Sequence, residues 1–179
     1  MIFRETDIPG AYLIEPEPIE DERGFFARSF CTREFAAAGI EFAPVQSNIS
    51  FNRAAYTLRG MHFHAPLYEE TKLVRCSAGR IFDVIVDLRP GSRTYRQWIG
   101  AELSRANGHA LFIPAGCAHG FLTLEANSDV FYQMSPHFEP GHERGFRFDD
   151  PEIAIRWPAA PSVISSRDAA LPSFRELSA

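Results

Sequence analysis

The segment RIFDVIVDL, residues 80–88, constrains the fold more than any other part of the chain. Phe82, Val84, Val86 and Leu88 fall in one set of alternating positions, and Ile81, Asp83, Ile85 and Asp87 in the other. A period of two is the signature of a strand. Both sets contain apolar residues, so this strand needs cover on both faces and belongs inside a sheet. The turn sequences SAGR and RPGSR flank it. Further strands are expected near 71–76, 97–103, 110–113, 119–124 and 129–135. Thirteen Pro and 12 Gly spread along the chain suit many short strands joined by turns, and 16 Phe favour strands over helices. One short helix is legible in TREFAAAG, with Thr32 as N-cap, Glu34 in the first turn and Gly39 as the stop. DDPEIAIRWP reads as an extended segment closed by Pro158. With no internal repeat and no low-complexity linker, the 179 residues are expected to form one all-β domain, 1–179, built as a sandwich or barrel.

Composition narrows the function classes. A hydrophobic content of 45% is enough to fill a core. The formal net charge of -5 supplies no global field for nucleic acid or an anionic membrane, so no nucleic-acid or membrane partner is expected. An anionic ligand would have to meet a local cluster of the chain's arginines. Cys31, Cys76 and Cys117 are odd in number and form no Cys-x-x-Cys, which favours small buried thiols over a disulfide framework. MIFRETDIPG lacks the apolar run of a signal peptide, and no apolar run reaches the length of a membrane span. The cytoplasm is the expected compartment.

Chemistry concentrates in LRGMHFHAPLYEETKLVR, residues 58–75. His62 and His64 share a face if GMHFH is a strand, with Arg59, Met61 and Phe63 opposite. Lys72, the chain's single lysine, goes with Val74 and Cys76. The pair Glu69–Glu70 reads as a solvated turn. A second constellation is GHALFIPAGCAHGF, residues 108–121, where an apolar strand ends at Pro114, turns on Gly116 and delivers His119. His62, His64 and His119 with Glu69 or Glu70 would suit iron, manganese or zinc, which keeps a metal-dependent reading beside one in which a single histidine is a base.

The second constellation, Gly-x5-Pro-x-Gly-x2-His, matches a motif of the cupin barrels, whereas the first histidine cluster matches its counterpart poorly. Eight ordered segments carry a closer resemblance: DERGFF, VQSNIS, LRGMHF, KLVRC, DVIVDLR, IPAGCAHGFLTL, DDPEIAIRWP and SSRDAALP. Over nearly its whole length the chain resembles the dTDP-4-dehydrorhamnose 3,5-epimerase family of the cupin superfamily. The resemblance implies a double-stranded β-helix, or jelly-roll barrel, with few short helices. It implies an enzyme that epimerises a nucleotide-linked 4-keto-6-deoxy sugar through an enolate, in deoxysugar or polysaccharide biosynthesis, with neither metal nor redox cofactor.

By the same resemblance His62 is the base, Asp168 its orienting carboxylate, Lys72 the cation near the C4 oxygen and Tyr132 the acid on the other face of the sugar. Arg59 and His119 line the pocket, Arg23 meets the diphosphate, and Gln46 and Asn48 make polar contacts. Family members are homodimers with an exchanged N-terminal segment, which would send Arg23 to the neighbouring site. Three positions depart from the family's usual residues: His64 replaces Gln, Arg28 replaces Glu and His137 replaces an aromatic ring. Arg28 and His137 stand where relatives hold thymine, so a CDP- or GDP-linked sugar is an alternative substrate. Epimerisation at C3 alone is an alternative outcome, and a non-catalytic sugar-nucleotide binding module is a further rival.

Overall fold

The computed structural model describes residues 1–177. Fourteen strands and three short helices follow one another along them. One sheet has the order β1 (Ile2–Glu5), β2 (Tyr12–Glu15), β10 (Ala110–Ile113), β7 (Thr71–Ala78), β12 (Ser128–Ser135), β5 (Gln46–Asn52). The second runs β13 (Glu143–Gly145), β6 (Thr57–His64), β11 (Cys117–Thr123), β8 (Arg80–Asp87), β9 (Trp98–Ser104), with β14 (Val163–Ile164) parallel to β6. Apart from β14, all strand pairs are antiparallel. Strands β3 (Ile19–Asp21) and β4 (Gly24–Phe26) form a separate hairpin.

The alternation read from residues 80–88 is the one the fold uses. Ile81 and Ile85 join Val74, Cys76, Leu111, Ile113 and Val130 in a core between the sheets. Val84 and Val86 face outward into a second apolar layer with Met61, Phe146, Ile153 and Phe174. On the back of the first sheet, Leu73 and Phe112 meet Phe35 and Phe42. Each sheet is therefore covered on both faces, as the two-sided hydrophobicity of β8 required. Cys76 and Cys117 are buried free thiols, and burial pushes them up to about 11 and about 12.

Two expectations need correction. Helix α1 spans Thr32–Ala37, so Thr32 is its first residue and not its cap; Cys31 holds the cap position without a side-chain bond. Burial of Phe35 among Phe3, Phe30, Phe42 and Phe112 holds this short helix, and packing outweighs capping there. Gly39 does stop the helix, in the left-handed region at φ +75°. The segment expected to be extended begins as a turn instead. Asp150 Oδ1 accepts from the backbone N–H groups of Glu152 and Ile153 at 2.9 and 3.3 Å, which folds Pro151–Ile153 back.

Candidate active site

Two adjoining cavities, about 480 and 390 Å³, open between the sheets away from the core, and both are lined by His62, Lys72, Tyr132 and Arg167. The second sheet supplies Arg59, His62 and His64 from β6 and His119 from β11. The first supplies Gln46 and Asn48 from β5, Lys72 from β7 and Tyr132 from β12. Helix α2 (Ser166–Ala169) supplies Arg167 and Asp168.

A break in register sets the β6 wall. His62 pairs with His119, but Arg59 pairs with Phe121, so three steps along β6 match two along β11. An extra residue of this kind is a β-bulge, and it reverses the face of everything beyond it. Arg59 and His62 consequently line the same cavity, where simple alternation placed Arg59 opposite. Glycines make the close approach possible: a Cβ on Gly60 would lie 2.6 Å from the Cα of Gly120, and one on Gly120 would lie 2.6 Å from the Sδ of Met61.

Three carboxylates organise the polar side chains. Asp168 Oδ1 lies 2.8 Å from His62 Nε2, and its Oδ2 accepts from the backbone N–H of Gly60 at 3.2 Å. Ser165 caps α2 by accepting from the N–H of Asp168, which fixes this carboxylate. Burial works to raise the Asp168 carboxyl, but the His62 hydrogen bond and charge, the Gly60 N–H and the Arg167 charge together hold it below its ordinary value. With Nε2–H donating to Asp168, Nδ1 of His62 carries the free lone pair. Asp83, fully buried, lies 2.8 Å from His119 Nε2. Glu70 Oε2 lies 2.9 Å from Lys72 Nζ and 3.1 Å from His64 Nδ1. The latter contact lacks hydrogen-bond alignment, and neither ring nitrogen of His64 has a hydrogen-bond partner. Burial foremost pushes the His64 imidazole down and the Tyr132 phenol up.

The model for dTDP-4-dehydrorhamnose 3,5-epimerase matches residues 5–176. The chain belongs to the dTDP-4-dehydrorhamnose 3,5-epimerase family. It is 41% identical over 178 residues to the dTDP-4-dehydrorhamnose 3,5-epimerase of Sinorhizobium fredii, covering 99% of this chain and 91% of that protein. The crystal structure of the Bacillus anthracis dTDP-4-dehydrorhamnose 3,5-epimerase, with TDP and pyrophosphate bound, superposes with a TM-score of 0.94 at 38% identity, covering 97% of this chain and 99% of that one. The Legionella pneumophila dTDP-6-deoxy-D-glucose-3,5-epimerase, in complex with dTDP-4-keto-L-rhamnose, gives 0.91 at 38%, covering 97% and 93%. The cupin-type β fold expected of an epimerase of this family is the fold observed.

Of the residues singled out from the sequence of this family member, His62, Asp168, Tyr132, Lys72, Arg59 and His119 line one cavity, and Gln46 and Asn48 line its neighbour. Arg23, Arg28 and His137 line neither. Arg23 is paired with Asp21 on the exposed β3–β4 hairpin, Arg28 donates to Glu34 beside α1, and His137 is exposed beyond β12. Glu69 is solvated as expected, but Glu70 is buried because the chain turns it inward against Lys72 at the start of β7. The donors that a metal centre would require do not converge, since Asp168, Asp83 and Glu70 engage His62, His119 and Lys72 separately. Among the described residues no group of three or more His, Cys, Asp or Glu could hold a metal ion. Sequence reading offered Glu70 only as part of a solvated turn or as an alternative metal ligand, and gave Asp83 and Arg167 no role in the site. Asp83 left a signal, a carboxylate between Ile81 and Ile85 on the inner face of β8. Arg167 left only its place beside Asp168.

Proposed function

We propose that this chain epimerises a dTDP-linked 4-keto-6-deoxy sugar at C3 and C5. The observation that carries the reading is the opposition of two proton-transfer groups across one cavity: the His62–Asp168 pair on one wall and Tyr132 on the other. A ketone at C4 acidifies the C–H bonds on both sides of it. His62 Nδ1 removes one of these protons, and the electron pair of the C–H bond moves into the ring to give an enolate. The Lys72 ammonium donates to the enolate oxygen. Tyr132 then returns a proton to carbon from the opposite face, which inverts the centre, and solvent restores both groups. Asp168 orients His62 and stabilises its imidazolium. His119 is held by Asp83, and Arg59 and Arg167 offer guanidinium groups to the diphosphate.

The same reading makes the enzyme a homodimer. The β3–β4 hairpin exposes Ile19, Phe25 and Phe26 beside Arg23 and joins neither main sheet, which supports its crossing to a second copy. There Arg23 and Arg28 would reach the nucleotide end of the neighbouring site, with His137 contributing from the rim of its own. Three free cysteines suit a reducing compartment, for which we propose the cytoplasm. No helix among the described residues is long and apolar enough to cross a membrane.

Incubation with dTDP-4-keto-6-deoxyglucose in D2O, followed by NMR, tests the reading. Deuterium is expected at C3 and C5; deuterium at C3 alone would reduce the activity to a single epimerisation. A preference for the CDP or GDP sugar over the dTDP sugar would overturn the nucleotide assignment, and no wash-in from any of the three would overturn the enzyme reading.

A further inference from the structure

Most of the buried acids have a full set of polar neighbours. Asp168 bonds His62 and the Gly60 N–H, Asp87 accepts from Arg89, Ser92 and Thr94, and Asp150 holds a turn and the Phe174 N–H. Glu70 differs. It is 8% exposed, its Oε1 has no hydrogen-bond partner, and its compensation comes from a single cation, the ammonium of the only lysine in the chain. Burying a carboxylate against one ammonium in this way is costly and adds little stability by itself. Lys72 and Tyr132 both line the two cavities, and Glu70 lines the second.

We infer that Glu70 is a positioning residue of the epimerase site: its carboxylate, 2.9 Å from Lys72 Nζ, aims the Lys72 ammonium into the cavity that Lys72 and Tyr132 share with His62. The inference rests on the proposed epimerase reading, which gives the Lys72 ammonium its purpose at the enolate oxygen. Each element around Glu70 contributes a group to the local charge balance. From β6 come Arg59 and His64, from β7 Lys72, from β12 Tyr132, from β13 Glu143 beside His64, and from α2 Arg167. Arg59 favours loss of the phenol proton of Tyr132; burial first, and then the charge of Glu70, oppose that loss. Burial foremost pushes the His64 imidazole down, and the nearby Glu70 works against that shift. A glutamine at position 70 would preserve the shape and a contact to Lys72 while removing the charge.

Glu70→Gln and Glu70→Asp are the variants to compare. With a single lysine, ¹³Cε-lysine labelling gives one resonance that reports Lys72 directly in the intact protein. In Glu70→Gln this resonance is expected to narrow and move towards that of a free lysine side chain. The kcat is expected to fall about tenfold or more with KM little changed, as for an impaired proton donor. The sign of the pH effect follows from Tyr132. Its raised value depends in part on the Glu70 charge, so the alkaline limb of kcat should move to lower pH in Glu70→Gln. Glu70→Asp, which keeps the charge, should restore that limb. An unchanged lysine resonance together with an unchanged alkaline limb in Glu70→Gln overturns the inference and leaves the epimerase reading standing. Absence of activity in the unmodified protein overturns the epimerase reading, and the inference with it. If Glu70→Gln does not fold, Glu70→Asp decides alone: a lysine resonance shifted to the free value despite the retained charge overturns the inference.

Discussion

At the scale of single residues, three carboxylates do different work on three bases. Asp168 fixes the tautomer of His62, Asp83 anchors His119 and Glu70 engages Lys72. Asp168→Asn is expected to lower kcat by roughly 10²–10⁴, because the amide can present its N–H to Nε2 and turn His62 to the wrong tautomer. The same variant should alter acid stability. The folded Asp168 carboxyl lies below its ordinary value, so its ionised form stabilises the fold above the unfolded carboxylate range, near pH 4. That contribution is lost as pH falls through the lower folded value. Denaturant midpoints measured from pH 5 downwards should therefore fall more steeply for the native protein than for Asp168→Asn; parallel curves would contradict the assignment. His62, Lys72 and Asp168 were legible because each sits inside a recognisable segment, and Tyr132 because VFYQMS stands where the resemblance puts the acid. Glu70 was not, because Glu69 and Glu70 are chemically identical in the sequence and only the turn before β7 decides which is buried.

At the scale of elements, the apolar strands were legible and the short or polar ones were not. Strands β7 to β12 carry strong alternation or dense apolar runs because neighbours cover both faces, and their expected limits lie within a few residues of those observed. Strands β1, β3, β4, β13 and β14 are two to four residues long, too short for a period to emerge. Strand β5 shows exposed and half-buried positions in alternation, but its polar sequence QSNISFN hides the pattern. The β6 bulge was the most consequential omission, since it moves Arg59 to the side of His62 and depends on a contact between Gly60 and Gly120 far apart in sequence. Gly120→Ala forces a methyl group against Met61 and the β6 backbone. It is expected to cost about 1–3 kcal/mol in chemical denaturation and to reduce activity beyond what that loss explains. Wild-type stability and activity in this variant would show that the bulge does not set the wall.

At the scale of the whole molecule, the two sheets place His62 and Tyr132 on one cavity, where under the proposed reading they would serve opposite faces of one sugar ring. The homodimer we propose would complete the nucleotide end. Replacing Phe25 and Phe26 by Ser should convert the protein from dimer to monomer in sedimentation and weaken substrate binding, while the barrel core stays folded; an unmodified protein that sediments as a monomer would refute the arrangement. The central claim is that His62 takes the proton and Tyr132 returns one from the other wall. Its most direct measurement is NMR of dTDP-4-keto-6-deoxyglucose in D2O with native protein, His62→Ala and Tyr132→Phe in parallel. Native protein should give deuterium with inversion, His62→Ala neither, and Tyr132→Phe deuterium exchange with inversion suppressed, because the enolate then regains its proton only from the His62 side. Exchange that survives in His62→Ala, or full inversion in Tyr132→Phe, would contradict it.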